Sequence, residues 1–361
     1  MPSIDSAFSS SYAQARDKFL QAARAADLQV QSHPHPLPGR DGEKLAMDVV
    51  LDAPAGARRM LILSSACHGV EGYCGSGVQV HALQDKAWRE ALRKQSVAVL
   101  YIHALNPYGF SHVRRVTQEN VDLNRNFHDF SKPLPVNGAY RELQPILLPE
   151  VWPPDAANQA ATGRFIAERG MGAFQAAVSR GQHEFPNGMF FGGQAPTWSN
   201  QTLRQVLRTH AGQAERMAWI DLHTGLGPSG VGERIFAGPD DAQQIARAKA
   251  WWGQGITSIY DGTSTSPFLT GLMWMSAGEE CPQAEYTGMA LEYGTQPMEQ
   301  VMHALRGDHW LHQHPEAPEA LRQQIKQALM DAFYVNTPEW RQQIVEQAMD
   351  AMHQAATGLS A

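Results

Sequence analysis

Two apolar segments separated by a helical one constrain the fold of this chain more than any other feature. Residues 59–66 and 97–104 have the length and composition of buried strands, and residues 78–94 between them have the pattern of a helix. A strand–helix–strand unit joins two parallel strands, and its helix covers one face of the sheet. The sequence therefore predicts an α/β fold with a partly parallel sheet, in which 45–51 supplies a further strand.

The rest of the chain continues this alternation of helices and strands. We predict helices at 6–26, 160–180 and 298–361, strands at 217–222 and 289–293, and irregular, proline-containing segments at 33–43 and 131–158. No segment has the composition of a linker. We therefore expect one domain over residues 1–361, with the N-terminal helix and the C-terminal helices packed on it.

Composition excludes several classes of partner. Of 361 residues, 43% are hydrophobic, which is ample for a large core, and a net charge of −7 argues against nucleic-acid binding. No apolar run approaches the roughly 20 residues of a membrane helix. The N-terminus lacks the pattern of a secretory signal, and three cysteines cannot form a disulfide framework. We expect a cytoplasmic protein with no membrane partner, and the sequence leaves its oligomeric state open.

Two histidines follow predicted strands and point to a metal site. His68 comes just after the strand at 59–66 and is the only one of the fifteen histidines with a glutamate three residues later, Glu71. His223 comes directly after the strand at 217–222. Open α/β sheets place ligands at the carboxyl ends of their strands, and three protein ligands with an open fourth position are typical of catalytic zinc. Each histidine taken alone is equally consistent with a hydrogen-bonded structural residue.

The segment from Arg114 to Phe127 adds to this pattern and extends it to a family. The chain resembles the zinc carboxypeptidases and their relatives, the succinylglutamate desuccinylases and aspartoacylases, and more specifically the bacterial branch called domain-of-unknown-function 2817. The resemblance covers about residues 44–300 and rests on four motifs in order: His68-x-x-Glu71, Val121-Asp-Leu-Asn-Arg-Asn-Phe127, His223 in Asp-Leu-His-Thr, and Leu291-Glu-Tyr-Gly-Thr295. It implies a three-layer α/β/α fold with a mixed central sheet.

The resemblance also implies a metal and a base. His68, Glu71 and His223 would hold one Zn²⁺ per chain, and Glu292 would be the general base and then the acid. Physical chemistry supports the second role, because Glu292 lies on a mostly apolar strand where partial burial raises the pKa of a carboxyl group. A buried glutamate paired with an arginine is the structural alternative for this position.

Two further roles are implied by the family pattern. Arg115, ten residues before Arg125, would stabilise the oxyanion, with Arg114 as the alternative because neighbouring side chains on an extended segment point in opposite directions. Asn124 and Arg125 would hold a substrate carboxylate, since a guanidinium presents a planar fork that matches two oxygens. The family also supplies a tyrosine, and the sequence does not choose between Tyr260 and Tyr286.

These roles together predict a carboxypeptidase-like zinc metallopeptidase. Its substrate would be a small peptide, cleaved at an amide bond next to a free carboxylate. An aspartoacylase-like deacylase of N-acyl amino acids is the nearer alternative, although that group carries an added C-terminal β domain and the residues after Glu292 look helical. A non-catalytic binding module on the same fold is the more distant alternative.

Overall fold

A seven-stranded sheet forms the centre of the molecule. The computed structural model describes residues 3–361. The strands, in chain order, are β1 (Val30–Pro38), β2 (Lys44–Asp52), β3 (Arg59–Ser65), β4 (Val97–His103), β5 (Arg216–Ser229), β6 (Gly232–Phe236) and β7 (Glu285–Gly294). Their order across the sheet is β1-β2-β4-β3-β5-β7-β6.

The middle of the sheet is parallel and its edges are antiparallel. β4, β3, β5 and β7 run in the same direction, whereas β1 and β2 on one side and β6 on the other run against their neighbours. The predicted strand–helix–strand unit is present, because β3 and β4 pair in parallel with Arg59 opposite Val97. The prediction of an α/β fold with a mixed central sheet is confirmed.

Helices cover both faces of this sheet. Within residues 3–361 they are α1 (Ile4–Ala7), α2 (Tyr12–Ala25), α3 (Gly72–Gln84), α4 (Lys86–Lys94), α5 (Pro107–Ser111), α6 (Gly138–Leu147), α7 (Ala156–Arg169), α8 (Met171–Ser179), α9 (Trp198–Ala211), α10 (Ala242–Trp252), α11 (Met275–Glu280), α12 (Met298–Gln313), α13 (Glu319–Phe333) and α14 (Pro338–Ser360). None of these helices combines the length and the apolar character needed to cross a bilayer.

Alternation along the strands creates two apolar layers. Successive side chains of a strand point to opposite faces, so Leu61 and Leu63 join one buried cluster while Met60 and Ile62 join the other. The first cluster includes residues of α2, α3 and α14, and the second includes residues of α9 and α11. The sheet is therefore the middle layer of three.

Two segments predicted to be irregular contain regular structure, so those predictions were wrong. Residues 30–38 form β1, because an edge strand tolerates prolines such as Pro34 on the side that needs no hydrogen bond. Residues 138–147 form α6, which begins where the Asn137 side chain accepts a hydrogen bond from the Tyr140 N–H.

The predicted terminal helices are present with different boundaries. The segment 6–26 forms α1 and α2 with a break between them, and the region after residue 298 forms α12, α13 and α14. Thr337 caps α14 through the Trp340 N–H, and Pro338 follows in the first turn, as predicted. The single domain over 1–361 stays a prediction, although α2 and α14 contribute to the same apolar cluster as β3 and β5.

Candidate active site

The carboxyl end of β3 and the middle of the longer neighbouring strand β5 bring the three predicted metal ligands together. β3 ends at Ser65, and the chain then turns through a short 3₁₀ segment, Gly69–Glu71, so that His68 and Glu71 lie above the sheet edge. His223 is on β5, the strand next to β3. The nearest atoms that these three side chains offer to a metal all lie within 4.8 Å of one another, and all three residues are buried. We call His68, Glu71 and His223 the ligand set.

Both imidazole rings of the ligand set face Glu71 with the same nitrogen. The Nδ1 atom of His68 is 2.8 Å from Glu71 Oε1, and that of His223 is 2.9 Å from Glu71 Oε2. The Nε2 atoms face aspartates instead: His68 Nε2 is 3.2 Å from Asp122 Oδ1, and His223 Nε2 is 2.5 Å from Asp221 Oδ2. When its Nε2–H donates to Asp221, a neutral His223 ring keeps its Nδ1 lone pair directed at the space beside Glu71. His68 Nε2 lies between the Asp122 carboxylate and Arg115 Nη2, which is 2.8 Å away.

Asp122 is a site residue that the sequence reasoning missed. It is fully buried, and its carboxylate accepts hydrogen bonds from Arg115 Nε at 3.0 Å and from the Asn124 N–H at 3.0 Å, besides its contact with His68. Its position two residues before Asn124, inside the motif Val121–Phe127, could have pointed to it. Asp221 was not missed: residues i and i+2 of a strand share a face, so the sequence predicts that Asp221 lies on the same side of β5 as His223, and it does contact His223.

Opposite charges, rather than burial, control ionisation in the ligand set. Burial alone raises the pKa of Glu71, but His68 and His223 outweigh it and hold that pKa below its usual value. Burial likewise opposes ionisation of Asp122, and Arg115 brings the pKa of Asp122 well below its usual range. Burial disfavours a proton on His223, yet Asp221 and Glu71 raise the pKa of His223 well above its usual value. The site thus attracts positive charge.

The donor chemistry of the ligand set fits a divalent cation. It offers two imidazole nitrogens and one carboxylate, the three-ligand combination that catalytic zinc uses with a fourth position open. A second group, formed by Cys67, Asp221 and His223, fits less well. Burial raises the pKa of the Cys67 thiol well above its usual value, which disfavours the thiolate that binds metals, and Asp221 is also bonded to Ser64 at 2.5 Å.

Glu292 lies beside the ligand set with its ionisation poised near neutrality. It is on β7, directly opposite His223 of β5 in the parallel register. Burial, and after it the negative charge of Glu71, raises the pKa of Glu292 to about 7. The Leu226 N–H donates to Glu292 Oε1 at 3.0 Å, which holds the carboxyl group in place. A carboxyl group with this pKa can both accept and return a proton at neutral pH.

Arg114 and Arg115 point in opposite directions. Arg115 faces the ligand set, with its Nη1 atom 3.3 Å from Glu71 Oε1 and its Nη2 atom 2.8 Å from His68 Nε2. Arg114 instead donates to Asp308 at 3.0 Å, away from the metal ligands. The structure therefore brings Arg115, and not Arg114, to the candidate site.

Asn124 and Arg125 present free N–H donors. Arg125 is 3% exposed, and its guanidinium donates to the carbonyl oxygens of Ser179 and Asn124 at 2.6–3.0 Å, which leaves N–H groups on both terminal nitrogens unused. Burial lowers the pKa of Arg125 to about 10. The side-chain oxygen of Asn124 accepts from the Met273 N–H at 2.9 Å, which orients its amino group as a donor without an acceptor among residues 3–361.

One cavity of about 90 Å³ connects these groups. Every predicted site residue except Glu71 lies on its wall: His68, Arg115, Asn124, Arg125, His223 and Glu292. The two candidate tyrosines do not line it. Tyr260 donates its hydroxyl to the Gly238 carbonyl and Tyr286 to the Ala237 carbonyl, both at 2.8 Å.

A family model agrees with the resemblance seen in the sequence. The family described as Protein of unknown function (DUF2817) matches residues 8–347. No curated protein matches the chain.

Solved structures share the fold at low sequence identity. Bovine thrombin-activatable fibrinolysis inhibitor, solved in complex with tick carboxypeptidase inhibitor, is 8% identical with a TM-score of 0.50, and the match covers 97% of each chain. A second structure of thrombin activatable fibrinolysis inhibitor is 10% identical with a TM-score of 0.47, covering 97% of this chain and 74% of that one. A metallo-carboxypeptidase from Burkholderia cenocepacia is 11% identical with a TM-score of 0.37, covering 90% and 68%. At these identities the likeness concerns the fold alone.

Proposed function

The chain belongs to the DUF2817 family, and from the geometry of its candidate site we propose that it is a zinc-dependent hydrolase that cleaves an amide bond next to a free carboxylate. The observation that carries this proposal is the convergence on one cavity of two histidines of the ligand set, a carboxyl group whose pKa is about 7, and two largely buried arginines. A purely structural cluster of buried charges has no need of a cavity lined by so many of its members.

The ligand set would hold one zinc ion through His68, Glu71 and His223. When bound, zinc supplies Lewis acidity that makes water a nucleophile at neutral pH and polarises a carbonyl group. Asp122 and Asp221 keep the two rings oriented, since each carboxylate contacts the Nε2 atom of one ring.

Glu292 would accept a proton from the attacking water and return it to the leaving amine. Both transfers need a group whose pKa lies near the working pH, and burial next to Glu71 gives Glu292 such a pKa, about 7. The hydrogen bond from the Leu226 N–H is accepted by one carboxyl oxygen of Glu292, so the other carboxyl oxygen is free to take up the proton.

Arg115 would stabilise the negative charge that develops on the substrate oxygen, because it is the arginine nearest the ligand set and lies on the cavity wall. Asn124 and Arg125 would hold the substrate carboxylate with their unused N–H donors. We assign Asn124 and Arg125 to binding and Arg115 to the reacting carbonyl group.

A peptide is the better substrate class than an N-acyl amino acid. The chain shares its fold with bovine thrombin-activatable fibrinolysis inhibitor, a structure solved in complex with a carboxypeptidase inhibitor, and its four motifs resemble those of the zinc carboxypeptidases. The proposal is thus a carboxypeptidase-like metallopeptidase.

Metal analysis together with an amine-release assay tests the proposed function. The purified protein should contain about one zinc per chain, and His68→Ala and His223→Ala should contain much less. The wild type should release amine from peptides with a free C-terminus. Full zinc in both variants would exclude the ligand set, and zinc without turnover of any peptide or N-acyl amino acid would favour a binding module.

A further inference from the structure

One aromatic ring on the cavity wall contacts both arginines of the candidate site. Phe190 lines the cavity of about 90 Å³ and is 6% exposed. The guanidinium carbon of Arg115 lies 5.1 Å from the centre of the Phe190 ring, and that of Arg125 lies 5.8 Å from it. Both distances are within the roughly 6 Å over which the negative face of a ring attracts a cation. The same ring therefore attracts both guanidinium groups.

The two guanidinium groups carry like charge, so a common partner stabilises their arrangement. Burial lowers the pKa of Arg125 to about 10, and the positive charge of Arg115 acts in the same direction, which shows that the two groups repel each other. Asp122 does not bind them equally, because its carboxylate lies 3.0 Å from Arg115 and 4.0 Å from Arg125. The attraction of the Phe190 ring acts on both arginines.

A ring also differs from a carboxylate in what it leaves free. The face of an aromatic ring attracts the charge of a guanidinium group without accepting its N–H groups in directed hydrogen bonds. Arg125 already donates to the carbonyl oxygens of Ser179 and Asn124 and keeps further N–H groups unused. Contact with Phe190 therefore holds Arg125 in place while those N–H groups stay available to a ligand.

The backbone fixes Phe190 in a conformation that a bulky residue rarely adopts. Its φ is 50°, in the left-handed region. The Gln182 N–H donates to the Phe190 carbonyl at 3.2 Å, and the Asp122 N–H donates to the Phe191 carbonyl at 2.7 Å. Such strained residues persist only where the surrounding structure imposes them, and they cluster at functional sites. The fold thus fixes the ring through Asp122, which belongs to the same motif as Arg125.

We propose that Phe190 is a positioning residue, whose ring holds the guanidinium groups of Arg115 and Arg125 at the separation that the substrate requires. This inference rests on the proposed function and adds a residue that sets its selectivity. In a C-terminal residue, a fixed number of bonds separates the reacting carbonyl group from the carboxylate. Both groups are held together only if the two arginines keep their spacing, because productive binding depends on orientation.

Three replacements isolate the contribution of the ring. Phe190→Leu removes the aromatic face but keeps an apolar side chain, and Phe190→Tyr keeps the ring. Pentafluorophenylalanine at position 190 keeps nearly the same shape, but its fluorines reverse the charge distribution of the ring, so it serves even if Phe190→Leu does not fold. Phe191→Leu is the matched control, since Phe191 is 5% exposed and is not among the described residues that line the cavity. Within residues 3–361 no guanidinium group lies over the Phe191 ring.

The first experiment measures kcat/KM of the zinc-loaded proteins for two isomers, benzoyl-glycyl-alanine and benzoyl-glycyl-β-alanine. They differ in the spacing between the reacting carbonyl group and the carboxylate. We expect the wild type to prefer alanine by roughly tenfold or more, since the arginines fit one spacing. Loss of the ring contacts in Phe190→Leu and in the fluorinated protein should lower this preference by roughly threefold or more.

A loss of packing alone would not change the ratio between two isomers. Phe190→Tyr and Phe191→Leu should therefore keep the wild-type preference. The proposal is overturned if the wild type turns over both isomers equally, or if the preference is unchanged in Phe190→Leu and in the fluorinated protein. An equal loss of preference in Phe191→Leu, or in Phe190→Tyr, would also overturn it.

A binding measurement separates this inference from the proposed function. Calorimetric titration of Glu292→Gln with benzoyl-glycyl-alanine and with its C-terminal amide needs no turnover. If the free acid binds more tightly, and Phe190→Leu/Glu292→Gln loses part of that difference while Phe191→Leu/Glu292→Gln keeps it, the role of Phe190 stands even if no peptide is hydrolysed. The same difference in all three proteins would exclude that role and leave the hydrolase proposal intact. Equal binding of acid and amide by Glu292→Gln would overturn the Arg125 assignment and this inference with it.

Discussion

Arg114 and Arg115 are neighbours in sequence, but they belong to two different clusters of buried charged side chains. Arg115 belongs to the cluster around the ligand set, where it contacts Glu71 and Asp122. Arg114 belongs to what we call the Asp308 cluster, which consists of Arg114, Asp308 and Lys326. Both clusters are deep in the protein and both contain arginine–carboxylate pairs, so burial and pairing do not distinguish them.

The sign of the predominant charge and access to the cavity do distinguish them. In the Asp308 cluster two cations surround one carboxylate at 2.6–3.0 Å, and Lys326 also donates to the carbonyl oxygens of His112 and Val113. None of its three residues lines the cavity of about 90 Å³.

The cluster around the ligand set is unbalanced and accessible. Three carboxylates, those of Glu71, Asp122 and Asp221, surround two histidines and have one contacting arginine within 3.5 Å, Arg115. His68, Arg115 and His223 lie on the wall of a cavity. Buried charge therefore marks a candidate site where carboxylates predominate and face open space, and it marks a structural element where it has no access to that space.

Replacing Glu292 should separate function from stability most strongly. Glu292→Gln keeps the shape and the acceptor for the Leu226 N–H but cannot take up the proton, so kcat should fall by about 10²–10⁴-fold. The melting temperature should stay the same or rise, because a buried carboxyl group is replaced by a neutral amide. Glu285→Gln, on the same strand with a side chain 45% exposed, is the matched control and should keep wild-type kcat. A wild-type kcat in Glu292→Gln would require another base.

Asp308→Asn should give the opposite result. Removing the carboxylate leaves the buried Arg114 and the partly exposed Lys326 without an anionic partner, and breaking a buried ion pair in this way typically lowers the free energy of unfolding by about 3–5 kcal/mol. Chemical denaturation measures this change. Asp350→Asn is the control, since Asp350 forms an exposed pair with Arg234 at 2.7 Å and should contribute only about 0–1 kcal/mol.

The Asp308 variant also tests whether the two clusters are independent. Below its melting temperature, Asp308→Asn should change kcat far less than Glu292→Gln does. If it were as inactive as Glu292→Gln while remaining folded and zinc-loaded, the Asp308 cluster would have to be counted as part of the active site.

The pH dependence of stability should also distinguish the clusters. The folded protein raises the pKa of Glu292 from 4.5 to about 7, so it retains this proton over a pH range in which the unfolded chain has lost it. Stability contributed by Glu292 is therefore present below about pH 4.5 and is lost as the pH rises towards 7. In metal-free protein, the melting temperature of Glu292→Gln minus that of the wild type should increase over this range. A difference in melting temperature that stays constant with pH would mean that the fold does not raise the pKa of Glu292.

Asp308 should show the reverse dependence. Burial opposes its ionisation, but Lys326 and Arg114 lower the pKa of Asp308, so its contribution to stability is present at neutral pH and is lost as the pH falls below the usual range of an aspartate. The melting temperature of the wild type minus that of Asp308→Asn should accordingly shrink on acidification. The same thermal scans measure both melting-temperature differences, which should change with pH in opposite directions.

The smallest effect concerns the substrate carboxylate. A charge-assisted bond contributes about 1.5–3 kcal/mol, and about 1.4 kcal/mol is tenfold in rate, so amidation of the carboxylate should lower kcat/KM at least tenfold. Arg125→Met should cause a similar loss for the free acid and a much smaller loss for the amide, which a double-mutant cycle quantifies. Arg180→Met, at an exposed position, is the control. Equal turnover of acid and amide by the wild type would point to an endo-acting amidase.

The sequence by itself determined the architecture and the types of residue at the candidate site. Apolar runs at 59–66 and 97–104, with a helical segment between them, were enough to predict the parallel pair β3 and β4, because burial and periodicity are local properties. The sequence placed His68 and His223 after the predicted strands 59–66 and 217–222. They meet because β3 and β5 pair in parallel up to Ser65 and Leu222, although β5 itself continues to Ser229.

Tertiary structure alone decided which neighbouring group each side chain meets. The sequence offered both Arg114 and Arg115, and only the packing of α12 and α13, which carry Asp308 and Lys326, directs Arg114 away from the ligand set. Asp122 joins His68 across 54 positions of sequence. Such partners, like the pKa of Glu292, depend on distances between segments remote in the chain, and those distances exist only once the core has packed.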